Sequence, residues 1–248
     1  MILEIDMGNT RLKWRIRDQQ TALTQGFIGI EEPLDLLIDN IEPYRSAISA
    51  VLVASVVGER LEQALTEWSG GYLALQPKFA RSGAACGLVR NGYREPQLLG
   101  VDRWLGMVAA YRLVNQACIV VSYGTAITLD LIAQDGEHLG GFIAPGLNLM
   151  LDSLTTGTRQ IELTPTISAL DLSPAASTTD AVYSACAAML VGLIDNGVRQ
   201  LCKPDQSLAF QMIFTGGDAT KLLPFYPQAR LVPDLVLDGL VCVLDYPQ

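Results

Sequence analysis

The chain has 248 residues, 50% hydrophobic and 17% charged, with a formal net charge of −9. That composition excludes a disordered or fibrous chain and argues against a nucleic-acid surface, which needs clustered Lys and Arg. No apolar run of about 18–20 residues stands out as a bilayer span, and the opening MILEID has no basic n-region of a signal peptide, so a cytoplasmic protein is expected.

Taken in chain order, the first 28 residues predict three strands. Ile2 to Asp6 is short and apolar, and Gly8-Asn9 marks a turn. Residues 11–17 alternate, with Arg11, Lys13 and Arg15 on one face and Leu12, Trp14 and Ile16 on the other. Residues 20–28 form the third strand, and Pro33 opens a short helix reaching Asn40. The nearly unbroken apolar run 47–57 suits a central strand covered on both sides, and 59–69 has helical spacing. Residues 76–97, rich in Gly, Pro and Arg, read as a loop region facing a site. A helix follows from Asp102 to Asn115.

The strand–turn–strand outline then recurs. Residues 117–121 and 126–133 are strands joined by Gly124-Thr125; 139–145 is a third strand, and 146–155 a helix. Asp180–Leu201 predicts a long, largely buried helix, 212–215 a strand ending in Gly216-Gly217, and 235–244 a closing helix. The repeat predicts an α/β fold of two similar lobes, 1–115 and 116–248, around a cleft. His138, the single histidine, lies in Asp-Gly-Glu-His-Leu-Gly, which reads as a hairpin turn, so no zinc site or histidine triad is expected. Cys86, Cys118, Cys186, Cys202 and Cys242 are widely spaced without C-x-x-C and read as reduced core thiols.

Three segments carry chemistry. In Asp6-Met7-Gly8-Asn9-Thr10-x-x-Lys13, a glycine turn brings backbone N–H groups toward a phosphate, Asp6 can hold a hydrated Mg²⁺, and Lys13 adds positive charge. The bland reading is a hairpin with a solvated basic face. Gly124-Thr125-Ala126-x-Thr128-x-Asp130 occupies the corresponding point of the second half and suits a second phosphate clamp. There is no G-x-x-x-x-G-K-[ST] loop, so the pairing fits the actin-like ATPase and sugar-kinase pattern instead. In Tyr93-x-x-Pro96-x-x-x-Gly100-Val101-Asp102-Arg103, Asp102 opens a helix; its bland reading is an N-cap.

With Gly140-Gly141-x-Ile143-x-Pro145-Gly146, Thr215-Gly216-Gly217 and Asp234-Leu235-x-Leu237-x-Gly239-Leu240 in the same order, the chain resembles the type III pantothenate kinases from residue 2 to about 240. The resemblance implies actin-like, ribonuclease H-like lobes, each a mixed five-stranded sheet flanked by helices, with the active site in the cleft between them. It implies a homodimer using MgATP to phosphorylate pantothenate in coenzyme A synthesis, with no nucleic-acid or membrane partner. Asp102 would then be the general base, and Tyr93, Gly100, Val101, Arg103 and Thr179 would hold pantothenate. Asp6, Met7, Gly8, Asn9, Thr10, Arg11, Leu12, Lys13 and Thr125 would face ATP, with Asp6 toward the metal. Gly140-Gly141, Pro145-Gly146 and Gly216-Gly217 would form loops near the adenosine. The family usually has aspartate where this chain has Ser122, at the site of an activating monovalent cation, K⁺ or NH₄⁺. Rival readings are a kinase of another small alcohol and an ATP-binding transcription accessory factor of the same fold.

Overall fold

A computed structural model of the chain describes residues 1–164, 170–202 and 209–245. Contacts divide it into two units. Met1–Arg112 together with Asp234–Gln248 form the first, and Leu113–Pro233 the second. The sequence had placed everything after residue 115 in the second lobe; instead the segment from Asp234 returns to the first.

The first unit is built on β1 (Ile2–Met7), β2 (Arg11–Asp18), β3 (Thr21–Gly29), β4 (Ala50–Ser55) and β5 (Lys78–Phe79), in the order β3-β2-β1-β4-β5. β1 runs antiparallel to β2 and parallel to β4. The alternation of β1 sorts its two faces. Leu3, Ile5 and Met7 join Leu12, Trp14, Ile16, Val51 and Val53 in one core, with Leu37 and Ile41 from the short α1 (Ile38–Ile41) region and Leu65 from α2 (Glu59–Tyr72). The opposite face is apolar on β4, where Ala50, Leu52 and Ala54 pack with Val101 and Leu105 of α3 (Val101–Val114) and with Leu237, Leu240 and Val241 of the closing helix α6 (Leu235–Val243). On β1 and β2 that face is charged, with Glu4 opposite Arg15 and Asp6 opposite Lys13. The predicted solvated basic face is therefore only partly so: Arg15 is buried against Glu4.

The 76–97 region is more ordered than expected. It supplies β5 at the sheet edge and a small hairpin, β6 (Ala85–Cys86) and β7 (Val89–Arg90), turning at Gly87 with φ of +58°. Strands of two residues carry no readable period.

The second unit repeats the plan. β8 (Cys118–Tyr123), β9 (Ala126–Ile132), β10 (His138–Pro145), β11 (Gln211–Thr215) and β12 (Arg230–Leu231) run in the order β10-β9-β8-β11-β12. Ile119, Val121, Tyr123, Ile127, Leu129 and Phe214 form the core with Leu147, which opens α4 (Leu147–Gly157), and with Cys186, Leu190 and Ile194 of α5 (Thr178–Leu201). α5 begins two residues earlier than the sequence indicated, because Ser177 caps it: its side chain accepts from the Asp180 amide. By length and composition α5 is apolar enough to cross a membrane, against the reading of the bare sequence. Its buried side nevertheless carries the core of this unit. α6 (Leu235–Val243) completes the described elements.

Candidate active site

In the first unit, β1 ends at the candidate phosphate turn. The Gly8 amide donates to the Arg11 carbonyl at 3.0 Å, closing a tight reversal with Asn9 and Thr10 exposed at its tip. Gly8 does not use left-handed backbone here. It is small because a Cβ would lie 3.3 Å from the Arg11 carbonyl oxygen. Met7 and Leu12 flank the turn with side chains buried in the core, so only their backbone can meet a ligand. Arg11 is exposed and lies over the Phe27 ring at 4.8 Å.

Asp6 stands at the end of the charged face. Burial pushes its carboxyl up to about 6; the Lys13 ammonium opposes that rise and the Asp102 carboxylate adds to it. Asp6 is thus within electrostatic reach of Lys13, its cross-strand neighbour, and of Asp102 from far along the chain. Asp102 lies in the first turn of α3 rather than capping it: the Gly100 carbonyl accepts from the Trp104 amide, and Asp102 Oδ1 accepts from the Arg103 amide at 2.8 Å. A Cβ on Gly100 would sit 2.7 Å from that oxygen, so glycine leaves the carboxylate its place.

Arg103, only 7% exposed, donates from Nη1 to the Tyr93 hydroxyl at 2.8 Å, with its guanidinium 5.6 Å from the Tyr93 ring centre. Asn91 holds the segment: its Oδ1 accepts from the Tyr93 amide, and its Nδ2 donates to the carbonyls of Gly83 and Pro96. Sequence reading missed Asn91, although Asn91-Gly92 is a turn dipeptide whose side chain is suited to such bonds.

The second unit offers the turn after β8. The Gly124 amide donates to the Ala126 carbonyl at 3.0 Å, leaving Thr125 exposed. Two glycines press on this turn. The Gly146 amide donates to the Thr125 carbonyl at 2.9 Å, and a Cβ there would meet the Gly124 and Thr125 oxygens at 2.3 and 2.7 Å. Gly216, with φ of +93°, would bring a Cβ within 2.3 Å of the Tyr123 carbonyl oxygen. Ser122 precedes Gly124 by two residues as Asp6 precedes Gly8, so a hydroxyl occupies the second copy of the Asp6 position. Its cross-strand neighbours are Thr128 and Thr215.

Two expectations fail in this unit. Asp130, read as part of the second clamp, is 1% exposed and meets His138 Nε2 at 3.0 Å. His138 is correspondingly buried in β10 and not in a turn; the turn is made by Gln134, Asp135 and Gly136, with Gly136 at φ of +85°. Thr179 lies in the first turn of α5, where its hydroxyl accepts from the Thr164 amide at 3.4 Å.

Among the described residues no group of three or more His, Cys, Asp or Glu could cage a metal. A desolvated Asp6 carboxylate fits the other mode, in which Mg²⁺ takes one or two carboxylates and completes its shell with phosphate oxygens and water.

Comparison with known proteins gives the family and the fold. A family model described as type III pantothenate kinase matches residues 2–200. The chain is 40% identical over 246 residues to the type III pantothenate kinase of Cellvibrio japonicus, covering 99% of this chain and 97% of that one. It is 38% identical over 248 residues to that of Ectopseudomonas mendocina, covering 97% of each. Among solved structures, it superposes with a TM-score of 0.64 at 21% identity on a protein described as a Baf family transcriptional activator from Campylobacter jejuni, covering 98% of this chain and 97% of that one. A protein described as a 2-dehydro-3-deoxygalactonokinase from Sinorhizobium meliloti superposes with a TM-score of 0.62 at 12% identity over the whole of both chains. These two show the fold: α/β, with two five-stranded mixed sheets flanked by helices.

Proposed function

The chain belongs to the type III pantothenate kinase family, and from that membership and the site geometry we infer that it transfers the γ-phosphoryl group of ATP to pantothenate, a step of coenzyme A synthesis. The observation that carries the reading is Asp6 at the end of β1, with Lys13 opposite it across the strand pair and the Asp102 charge within reach. A primary alcohol is a poor nucleophile at neutral pH, so the reaction needs a proton acceptor, alignment and charge neutralisation. Asp102 takes the hydroxyl proton as the new O–P bond forms and the bond to ADP breaks. Lys13 and the exposed Asn9-Thr10 tip of the 8–11 turn offset phosphoryl charge. Asp6 would hold Mg²⁺, which when bound neutralises triphosphate charge. The Tyr93–Arg103 pair presents a guanidinium suited to the pantothenate carboxylate, and Thr125 with its turn is a second phosphate contact. ADP release on adding pantothenate to the protein and MgATP tests the assignment; release with a sugar and none with pantothenate would overturn it.

The two glycines beside the second turn make a sharp prediction. Gly146→Ala drives a methyl into the Gly124 and Thr125 carbonyls and displaces the turn. We expect ATP affinity to fall roughly 10–100-fold by calorimetry. Gly157→Ala, with nothing within 4 Å of the added carbon, is the matched control and leaves affinity unchanged.

Ser122 supports a cation site of reduced charge. K⁺ and NH₄⁺ activate through hydroxyl and carbonyl oxygens, and Ser122→Asp lowers the concentration needed for half-activation. At about 3 Å and an effective dielectric near 20 the Coulomb gain is several kcal/mol, most of it offset by dehydrating the carboxylate. Identical activity in K⁺, NH₄⁺ and Na⁺ at fixed ionic strength would remove the proposal.

A homodimer is supported by the outer side of α5, where Ala181, Ala185, Ala188, Met189 and Gly192 are exposed at helical spacing and Met189 is 56% open. Sedimentation should show a dimer for the parent and a monomer for Met189→Glu. The same apolar side makes α5 long and apolar enough to cross a membrane; as one face of a cytoplasmic homodimer it needs no nucleic-acid or membrane partner.

A further inference from the structure

The polar face of the first sheet holds a second set of charges immediately behind Asp6 and Lys13. One register step back along the same strands, Glu4 lies opposite Arg15 and is fully buried. Arg15 Nε meets Glu4 Oε2 at 2.6 Å, and Arg17 Nε meets Glu4 Oε1 at 3.1 Å. Both arginines also reach α6: Arg15 Nη1 and Arg17 Nη2 meet Asp238 Oδ1 at 2.9 and 3.1 Å. Asp234, just before α6, lies 3.9 Å from Arg15 Nη1. Next to Asp238, Gly239 packs backbone to backbone on α3, where a Cβ would fall 2.4 Å from the Leu105 carbonyl oxygen. Leu105 is less than one turn beyond Asp102.

We propose that Asp238 positions the candidate base: by gripping Arg15 and Arg17 it fixes the register of α6 on the sheet, and α6, through Gly239, fixes the first turn of α3 that carries Asp102. The strand that supplies Lys13 is thereby tied to the helix that supplies Asp102. Stability alone is a poor explanation for the network. Ions taken out of water regain little net energy by pairing, and apolar side chains of similar volume serve a core as well or better. Apolar packing also tolerates sliding, whereas two arginines on one carboxylate specify a single register. Leu237, Leu240 and Val241 supply the adhesion; Asp238 supplies the placement.

The proposal rests on the kinase reading, and two measurements separate their failures. In steady-state kinetics, Asp238→Asn lowers kcat roughly tenfold with the KM for ATP little changed, because the base is displaced and the 8–11 turn is not. Asp238→Glu, which keeps the charge, recovers most of the loss. Val241→Ala loosens the same helix without touching the network and keeps its kcat per folded molecule. In hydrogen exchange, which needs no activity, Asp238→Asn speeds exchange at the amides of residues 103–106 by roughly tenfold, ahead of the rest of α3. Unchanged exchange there, or an equal loss of kcat in Val241→Ala, overturns the positioning role. Absence of pantothenate phosphorylation in the parent overturns the kinase reading instead, and the exchange result alone then decides the role of Asp238.

Discussion

Asp102→Asn lowers kcat by roughly 10²–10⁴-fold, the usual contribution of a general base, while ATP binding survives. The substitution is isosteric and keeps an oxygen for the Arg103 amide, now bonded at 2.8 Å, so the first turn of α3 stays formed. What it removes is the proton acceptor. Asp102 stands apart from the 8–11 turn in the chain and bears on Asp6 through its charge, so calorimetry should find ATP affinity close to that of the parent. A loss of less than about threefold in kcat, with the fold intact, would show that the proton goes elsewhere.

The second large effect is expected at Asp6, and it has two opposite signs. Asp6→Asn removes the carboxylate that would hold Mg²⁺, so use of MgATP collapses while pantothenate binding is kept; calorimetry with each ligand measures this. The fold, by contrast, gains. The Asp6 carboxyl is raised from 3.8 to about 6, so its ionised form is less favourable in the native protein than in the unfolded chain. Stability from this group is therefore fully present below pH 3.8 and is lost as pH rises through about 6. That rise corresponds to roughly 3 kcal/mol; partial exposure reduces the expected gain to about 1–2 kcal/mol at pH 7.5. Denaturant unfolding between pH 4 and 8 checks the sign. The parent should lose stability across that window relative to the variant, and equal slopes would mean that Asp6 is not held out of water.

Much of this arrangement was legible in the sequence because it follows local rules. The alternation in residues 11–17, the apolar run at 47–57 and the repeat of a glycine turn after the first strand of each half give four strands of each sheet without any knowledge of contacts, whereas the two-residue edge strands β5 and β12 carry no such signal. The same rules placed Asp6, Asp102 and Arg103 at an element's end or beginning. Where reading failed, distant partners decided the outcome. Arg15 has the pattern of a solvated residue, yet Glu4 and Asp238 draw it inside. His138 follows a turn sequence but is buried by its pairing with Asp130, across the ladder from the preceding strand. Met7 and Leu12 belong to the phosphate-turn motif by position and to the core by side chain. The glycines at 146 and 216 are marked by the sequence, but the carbonyls they must accommodate are visible only in three dimensions.

The return of the segment from Asp234 to the first unit also sets an order of assembly on the ribosome. All five strands of the first sheet are synthesised early, yet part of the cover over Ala50, Leu52 and Leu105 arrives only with Leu237, Leu240 and Val241. So does Asp238, the carboxylate that both arginines reach besides Glu4. The intervening unit, Leu113–Pro233, emerges whole before that cover exists. The nascent first unit must therefore wait with an apolar strip and two half-neutralised arginines open to water, and a nonsense codon just before Asp234 would make that waiting state permanent. The unit made first is the one finished last.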